Sequence, residues 1–447
     1  MASFKHKSTK SQRAWYFYDW ANSAYVTTTS TVLFGPYLTH IALTSVGCEK
    51  ESTCNANVAF AGLQIAPGSL FLYTITFTTL LSALLLPLLG AYADVRHDKH
   101  KLMAKLAWTG SIAAASMFFV QGTNWQLGIL LLTIANLSLG GSLVIYDAIL
   151  NEISSPDERD SVSSKGWALG YVGGGLLLIA NLAFVTLSEQ SEISIRISLL
   201  TAGIWWALWT FVPFLGIKNS ADAPKGDLSF AKLSRSSFKQ LKATLSELKD
   251  FPQTKRFLIA YLFYNDGVQT VIYAAAIYGE FALGLKTSNL ILAIVIVQIV
   301  AIIGALFTGK LAGRIGAKAT VRNSIVIWIF VIIAGRYLPY GDATLFFLLA
   351  AAIGFVLGGT QALSRSLFSQ LVPKTREAEY FALYQACERG TSWLGTLLFA
   401  LTYQFTGDYR NAIIVLVVFF VVGGIQLHKV DVKAGIKEAG NQLPSVV

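Results

Sequence analysis

Charge is scarce in this chain. Asp, Glu, Lys and Arg make up 13% of its 447 residues, about half the roughly 25% of an ordinary soluble domain. At a mean hydropathy of +0.55, too little charge is available to cover a water-facing surface of this size. Other shortages narrow the field further. Three cysteines cannot build a disulfide-dense scaffold. The five histidines, His6, His40, His97, His100 and His428, show no ligand spacing across the apolar segments, so no metal centre is expected. No complete phosphate-binding loop precedes a helix, which argues against an ATP-driven pump. No catalytic constellation stands out, so neither an enzyme nor a cofactor is expected. The period-two alternation of an outer-membrane barrel is missing too.

What the chain has in abundance is apolar sequence, 54% of it, gathered into long runs. Runs of this length imply a polytopic α-helical membrane protein. Twelve spans are expected, at about 14–42, 69–91, 102–120, 125–150, 163–186, 194–216, 257–283, 289–309, 322–338, 343–368, 380–405 and 411–428. The first carries Asp19 and Asn22 and no small-residue cleavage site, so a cleaved signal peptide is not expected. The net charge of +10 is distributed for a membrane and not for nucleic acid. Lys and Arg crowd the N-terminus, every even-numbered connection and the C-terminus, and the alternate loops are poor in both. By the positive-inside rule both termini are expected in the cytoplasm, of a plasma (inner) membrane if the source is bacterial. Cys48 and Cys54 then share the first outside loop and can pair if that side is oxidising. Cys387 lies inside span eleven and is expected to be an inert small apolar residue.

The connection 217–256 is the longest. It holds nine Lys or Arg, and the apolar spacing from Phe230 to Leu248 suits a short amphipathic helix on the membrane surface. It divides the chain into 1–216 and 257–447, six spans on each side. The two sides resemble each other. Leu139-Gly140-Gly141-Ser142 returns 218 residues later as Leu357-Gly358-Gly359-Thr360, and at that offset Asp147 aligns with Arg365. Gly90 and Asp94 align with Gly309 and Gly313. Asp19, Asn22 and Ser23 on span one return as Asp266, Gln269 and Thr270 on span seven. In each copy a carboxylate, a group at +3 and a hydroxyl at +4 share one helix face. A charge in hydrocarbon costs roughly 2.5–3.5 kcal/mol on insertion scales, so a repeated polar stripe implies that both sides face one wet cavity.

Several motifs support a family resemblance. Gly90 to Lys101 is similar to the G-xxx-D-R-x-G-R-K signature of the major facilitator superfamily, with the basic residue at Arg96 and no glycine at 97. Its copy at Gly309–Lys318 keeps Arg314 and Gly316 but lacks the carboxylate. Gly166 to Gly175 resembles that superfamily's antiporter motif with Tyr171 in place of proline, a pattern equally suited to close helix packing. Arg13-Ala14-Trp15, Asp19 to Tyr25, Lys165 to Tyr171, Tyr264 to Thr270 and Gly358 to Ser366 together resemble the vacuole-effluxer-like family of that superfamily, from about residue 12 to 428. The resemblance implies an all-α integral membrane protein with the twelve-helix major facilitator fold, two pseudo-symmetric six-helix bundles. It also implies a secondary transporter moving an amino acid or a similar zwitterion. The carboxylates in the cavity make a proton the candidate coupling ion.

In that superfamily spans one, four, seven and ten line the cavity, and here each carries a charge: Asp19, Asp147, Asp266 and Arg365. The expected substrate or proton site is Asp19, Asn22, Ser23, Asp266, Gln269, Thr270, Tyr273, Gln361 and Arg365. The expected gate is Asp94, Arg96, Asp147 and Arg314. Glu388 and Arg389 on span eleven are further candidates. Asp19 lies roughly 10 Å and Asp266 roughly 15 Å from the inner edge at 1.5 Å per residue. The charges therefore suit a salt-bridged cytoplasmic gate, a ligand or proton site, or both. A lipid or amphiphile transporter, and a non-transporting receptor or scaffold with 217–256 as its output, are the alternative functions. A monomer is the default expectation.

Overall fold

The computed structural model describes residues 8–447 except 49–55, 61, 66, 68–69, 95, 97, 189–190, 218–245, 286, 375, 390–391 and 407. Cys54 and most of the expected surface helix over Phe230–Leu248 lie outside the described residues.

Span one begins at a capping box. The Thr9 hydroxyl accepts from the Gln12 backbone N–H at 3.1 Å, and the Gln12 side chain accepts from the Thr9 N–H at 3.0 Å. The span then runs as an α-helix Lys10–Ala24, a π-helix Tyr25–Leu33 and an α-helix Phe34–Ser45. Spans two to six are Leu70–Asp94, Lys99–Ser116 with a short 3-10 turn to Phe119, Trp125–Ile153, Arg159–Leu187 and Glu192–Gly216. Span seven is Pro252–Ile277, continued by a second π-helix, Tyr278–Ala282. Spans eight to ten are Thr287–Ile315, Ala317–Arg336 and Ala343–Gln370. Span eleven consists of Glu377–Arg389 and Ser392–Thr406, and span twelve of Tyr409–Ile414 and Val417–His428.

Among the described residues, nine helices are long and apolar enough to cross a membrane. The three that miss that standard are spans one, seven and eleven, and the reason is local. Span one combines polar residues with a π segment. Span seven carries Asn265, Asp266, Gln269 and Thr270 through its middle, and the first helix of span eleven is rich in charge. The polar stripes lower the hydropathy of these spans without breaking them: residues 19–23 and 266–270 lie inside the α-helices Lys10–Ala24 and Pro252–Ile277.

Two features are additions to the all-helical expectation. The first outside loop holds an antiparallel hairpin, Val58–Phe60 paired with Leu63–Ile65. After span twelve a short helix, Val432–Glu438, is capped by Asp431, whose carboxylate accepts from the Ala434 N–H at 3.0 Å. The chain beyond it crosses from one side of the bundle to the other. The Asn441 side chain donates to the Gln370 and Val372 carbonyls, and the Ser445 N–H donates to Asp157 in the connection after span four.

Small residues set how closely the spans approach. Span five lays Gly166, Gly170, Gly173 and Gly174 against span one. A Cβ at Gly173 would stand 2.6 Å from the Trp20 carbonyl oxygen, so no larger residue fits. Between the two halves, a Cβ at Gly90 on span two would stand 2.5 Å from the Ala378 carbonyl of span eleven. A Cβ at Gly309 on span eight would stand 2.5 Å from the Ser164 hydroxyl of span five. The repeat-related glycines thus occupy equivalent seams, two against eleven and eight against five.

Candidate functional site: a buried charge cluster between the halves

The seams converge at the end of the bundle that carries the basic loops, here termed the basic end. Arg365 of span ten is inserted there into the first half and is 3% exposed. Its Nη2 lies 3.3 Å from Asp19 Oδ2 of span one and its Nη1 lies 3.4 Å from Asp147 Oδ1 of span four. Its Nε donates to the Ser163 hydroxyl at 2.9 Å and Nη2 donates to the Ser163 carbonyl at 3.0 Å. Both carboxylates have further support. The Tyr146 hydroxyl donates to Asp19 Oδ2 at 2.7 Å, and the Gln385 amide of span eleven donates to Asp147 Oδ2 at 2.9 Å and to Glu388 at 3.2 Å.

Three aromatic rings enclose the guanidinium. Its carbon lies 4.9 Å from the Trp15 ring centre, 5.3 Å from Tyr146 and 5.5 Å from Trp167, within cation–π range. Trp15 and Tyr146 stack on each other at 4.1 Å with 9° between their planes, and the Trp15 N–H donates to the Tyr146 carbonyl. Local periodicity explains the assembly. Trp15 and Asp19, like Ser163 and Trp167, are four residues apart on one helix face. Gly166 gives the space: a Cβ there would stand 2.8 Å from both Asp19 Oδ2 and Trp15.

Asp147 and Arg365 are the repeat-related pair, 218 residues apart. This ion pair joins spans four and ten, one from each half of the repeat.

Around the cluster the basic end is tied shut. Both Asp94 carboxylate oxygens accept from the N–H groups that open the first helix of span eleven, Ala378 at 2.9 Å and Glu379 at 2.8 Å. An anion at a helix N-terminus is stabilised by the dipole and by the free N–H groups. Lys99 bridges Asp94 to Glu152 at 3.2 and 2.9 Å. Between spans five and ten, Arg159 donates to the Ser369 carbonyl, Ser163 to the Ala362 carbonyl and Ser366 to Asp160. Arg376 joins Glu379 at 2.9 Å and also Glu247, which lies just before span seven.

The remaining expected residues are placed as follows. The Asn22 amide donates to the Tyr18 carbonyl, and Ser23 packs on Gly170 and Gly174. Asp266 is 0% exposed but stands apart from Arg365. Its Oδ2 accepts from the Gly395 N–H of span eleven at 2.9 Å, and its Oδ1 is buried without a partner. The Thr270 hydroxyl donates to the Asp266 carbonyl. Gln269 is half-buried, whereas Tyr273 is 55% exposed. Gln361 donates to Asn265, whose amide donates to the Glu388 carbonyl. Arg96 pairs within its own loop, doubly with Asp98 at 2.7 and 2.9 Å, and this bond holds its pKa above the ordinary arginine value. Arg314 is exposed and belongs to no described ion pair. The Arg389 side chain lies outside the described residues. Cys48 is disulfide-bonded, with Cys54 outside the described residues. Among the described residues no group of His, Cys, Asp and Glu could hold a metal ion.

Sequence reasoning missed Ser163, Tyr146 and Trp167 as parts of the cluster, and named Trp15 only within a family motif. The available signal was the Trp or Tyr one helical turn, or one residue, from Asp19 and Asp147.

Comparison with known proteins agrees with this architecture. The family model described as "Vacuole effluxer Atg22 like" matches residues 7–440. An MFS-type transporter of Bacillus subtilis (strain 168), YxiO, is 31% identical over 445 residues, covering 98% of this chain and 99% of that one. Autophagy-related protein 22 of Pyricularia oryzae is 25% identical, covering 98% and 78%. Among solved structures, the human organic anion transporter MFSD10 superposes with a TM-score of 0.67 at 13% identity, covering 94% of this chain and 99% of that one. The proton:xylose symporter XylE gives 0.67 at 13%, covering 94% of each. A bacterial homologue of the iron transporter ferroportin, in its outward-facing state, gives 0.65 at 13%, covering 94% and 98%. At such identities the structural matches speak for the fold alone, an all-α major facilitator fold.

Proposed function

We propose that this chain, which belongs to the vacuole effluxer Atg22-like family and is a multi-pass transporter of the major facilitator type, moves a small zwitterionic solute of the amino-acid class by alternating access. In this reading the basic end is cytoplasmic, in keeping with the positive-inside distribution of Lys and Arg. The molecule is then in its inward-closed state.

One observation carries the mechanism: the Asp19–Arg365–Asp147 cluster crosses the boundary between the halves. The basic end opens only if Arg365 leaves both carboxylates. Removing one partner from a buried ion pair costs about 3–5 kcal/mol, so opening requires a compensating interaction. The zwitterion supplies it, offering its carboxylate to Arg365, where a bidentate pair is favoured, and its cationic group to Asp19 and Asp147. Binding that favours the opened state shifts the equilibrium only by its differential affinity. The cluster is therefore gate and ligand site in alternation.

A proton is the proposed coupling ion and Asp266 its proposed carrier, supported by the Oδ1 atom that is buried with no partner. A buried polar atom without a hydrogen bond carries a desolvation cost, and protonation changes that cost directly.

The test is counterflow in proteoliposomes with a panel of amino acids, sugars and lipids, alongside a pH-sensitive dye. Saturable exchange of an amino acid supports the reading. Exchange confined to sugars or lipids would overturn the solute class, and undiminished substrate-driven proton movement in Asp266→Asn would remove Asp266 from the coupling.

A further inference from the structure

Among the described residues, every hydrogen-bond, ion-pair and cation–π partner of the Arg365 guanidinium belongs to the first half. Span one gives Trp15 and Asp19, span four gives Tyr146 and Asp147, and span five gives Ser163 and Trp167. Together they form a receptor for one planar cation: two carboxylates, a carbonyl and a hydroxyl as acceptors, and three rings around the cation. Planar, delocalised, weakly hydrated charge is what guanidinium offers and what a lysine-type ammonium does not. The cage is also tied within its own half. Trp15 is bonded to the Tyr146 carbonyl, Tyr146 to Asp19, and Gly166 leaves room for both. When Arg365 withdraws with the second half, these bonds stay behind.

We propose that Arg365 is a tethered stand-in for the transported solute, and that the cage it vacates binds a guanidinium-bearing or similarly delocalised organic cation. The solute class is thereby a cationic amino acid of the arginine type or a related guanidinium compound. Its cation replaces that of Arg365 between Asp19 and Asp147, and a carboxylate, where the solute has one, meets the freed Arg365. Two carboxylates in a dry, ring-lined cavity disfavour an anionic solute and give a neutral side chain nothing to replace the lost charge with. The indole N–H of Trp167 is buried and unpaired, and it is available to an acceptor on the solute. The use of the cage in transport rests on the transporter reading above. Its chemistry rests on the contacts alone.

The two are tested separately. Isothermal titration of the purified full chain uses guanidinium chloride at millimolar concentration, L-arginine, L-leucine and L-glutamate, with sodium chloride at matched ionic strength as the blank. In Arg365→Ala the cage is vacated, and guanidinium and arginine bind at least about tenfold more tightly than to the unmodified chain, a difference within the reach of one charged contact. Leucine and glutamate give no signal, and adding Asp147→Asn abolishes the gain. If Arg365→Ala does not survive purification, Arg365→Gln replaces it. Counterflow of labelled arginine and leucine through the unmodified chain is the second arm, and arginine is exchanged in preference to leucine. Absence of guanidinium binding to a monodisperse Arg365 variant overturns the cage. So does leucine exchange without arginine exchange, and the transporter reading survives that result. Guanidinium binding with no exchange of any solute upholds the cage and removes the transporter reading.

Discussion

Asp19 and Asp266 occupy corresponding places in the repeat, each followed by a +3 amide and a +4 hydroxyl, yet they have opposite surroundings. Asp19 binds across the boundary between the halves, to Arg365, under an aromatic lid. Asp266 stays within its own half, accepting from the Gly395 N–H, with its other oxygen unpaired. In the proposed cycle one carboxylate has a partner that moves away, and the other has a partner that travels with it. The internal repeat therefore places the charges along the helices, while the proposed mechanism depends on whether each contact crosses the boundary between the halves. The same asymmetry appears at the seams. Asp94 caps the start of span eleven, and its counterpart Gly313 has no side chain with which to cap span five.

The sharpest way to break this comparison is to remove the cation. Arg365→Ala leaves Asp19 and Asp147 buried and unpaired, and should destabilise the closed basic end by about 3–5 kcal/mol. Exchange should cease, and a cysteine placed at Ser369, now wholly buried, should become reactive to maleimide. Retained burial with full exchange would mean that the cluster is not the gate. Asp94→Ala comes next. It deletes the carboxylate cap of a helix start, worth about 0.5–2 kcal/mol, together with the Lys99 ion pair, and should raise labelling at the seam of spans two and eleven more than at that of eight and five.

A steric pair tests the two seams directly. Gly90→Ala drives a methyl onto the Ala378 backbone carbonyl, and Gly309→Ala drives one onto the Ser164 hydroxyl. A backbone cannot step aside and a serine side chain can rotate. Gly90→Ala should therefore cost about 1–3 kcal/mol in thermal unfolding, with Gly309→Ala clearly milder; equal losses would show the seams to be equivalent. The smallest structural effect belongs to Asp266→Asn. The amide oxygen keeps the bond from Gly395, so stability should change by less than about 1 kcal/mol, while substrate-driven proton movement falls. A large loss of stability with coupling intact would make Asp266 a structural cap and nothing more.

Much of the molecule was legible in the sequence because the signals are local. Hydropathy placed twelve spans within a few residues of the observed helices, since each span must satisfy its own backbone in a medium without water. The helical period put Asp19 with Asn22 and Ser23, and the glycine pattern of span five announced a close approach to a neighbour. Less legible were features that local averages blur. The π segments at Tyr25–Leu33 and Tyr278–Ala282 and the hairpin around Gly62 leave little compositional trace. Arg314 and Tyr273 carried a motif and a helix face, but those patterns could not reveal that both side chains are exposed. Trp15 is ambiguous from sequence because Trp is favoured both at the membrane interface and over a buried cation.

The sequence by itself determined the class of this protein, its span count, its basic end, its two-part repeat and the positions of its intramembrane charges. All of these follow from composition and from periods of a few residues along one helix. Only the tertiary structure decided which charge meets which. Asp19 and Arg365 are 346 residues apart, Asp94 and Ala378 are 284 apart, and no period along the chain links them. Those partners are set by how closely glycine-lined helices approach and by where two halves close on each other, which is a property of packing between helices and not of any helix alone.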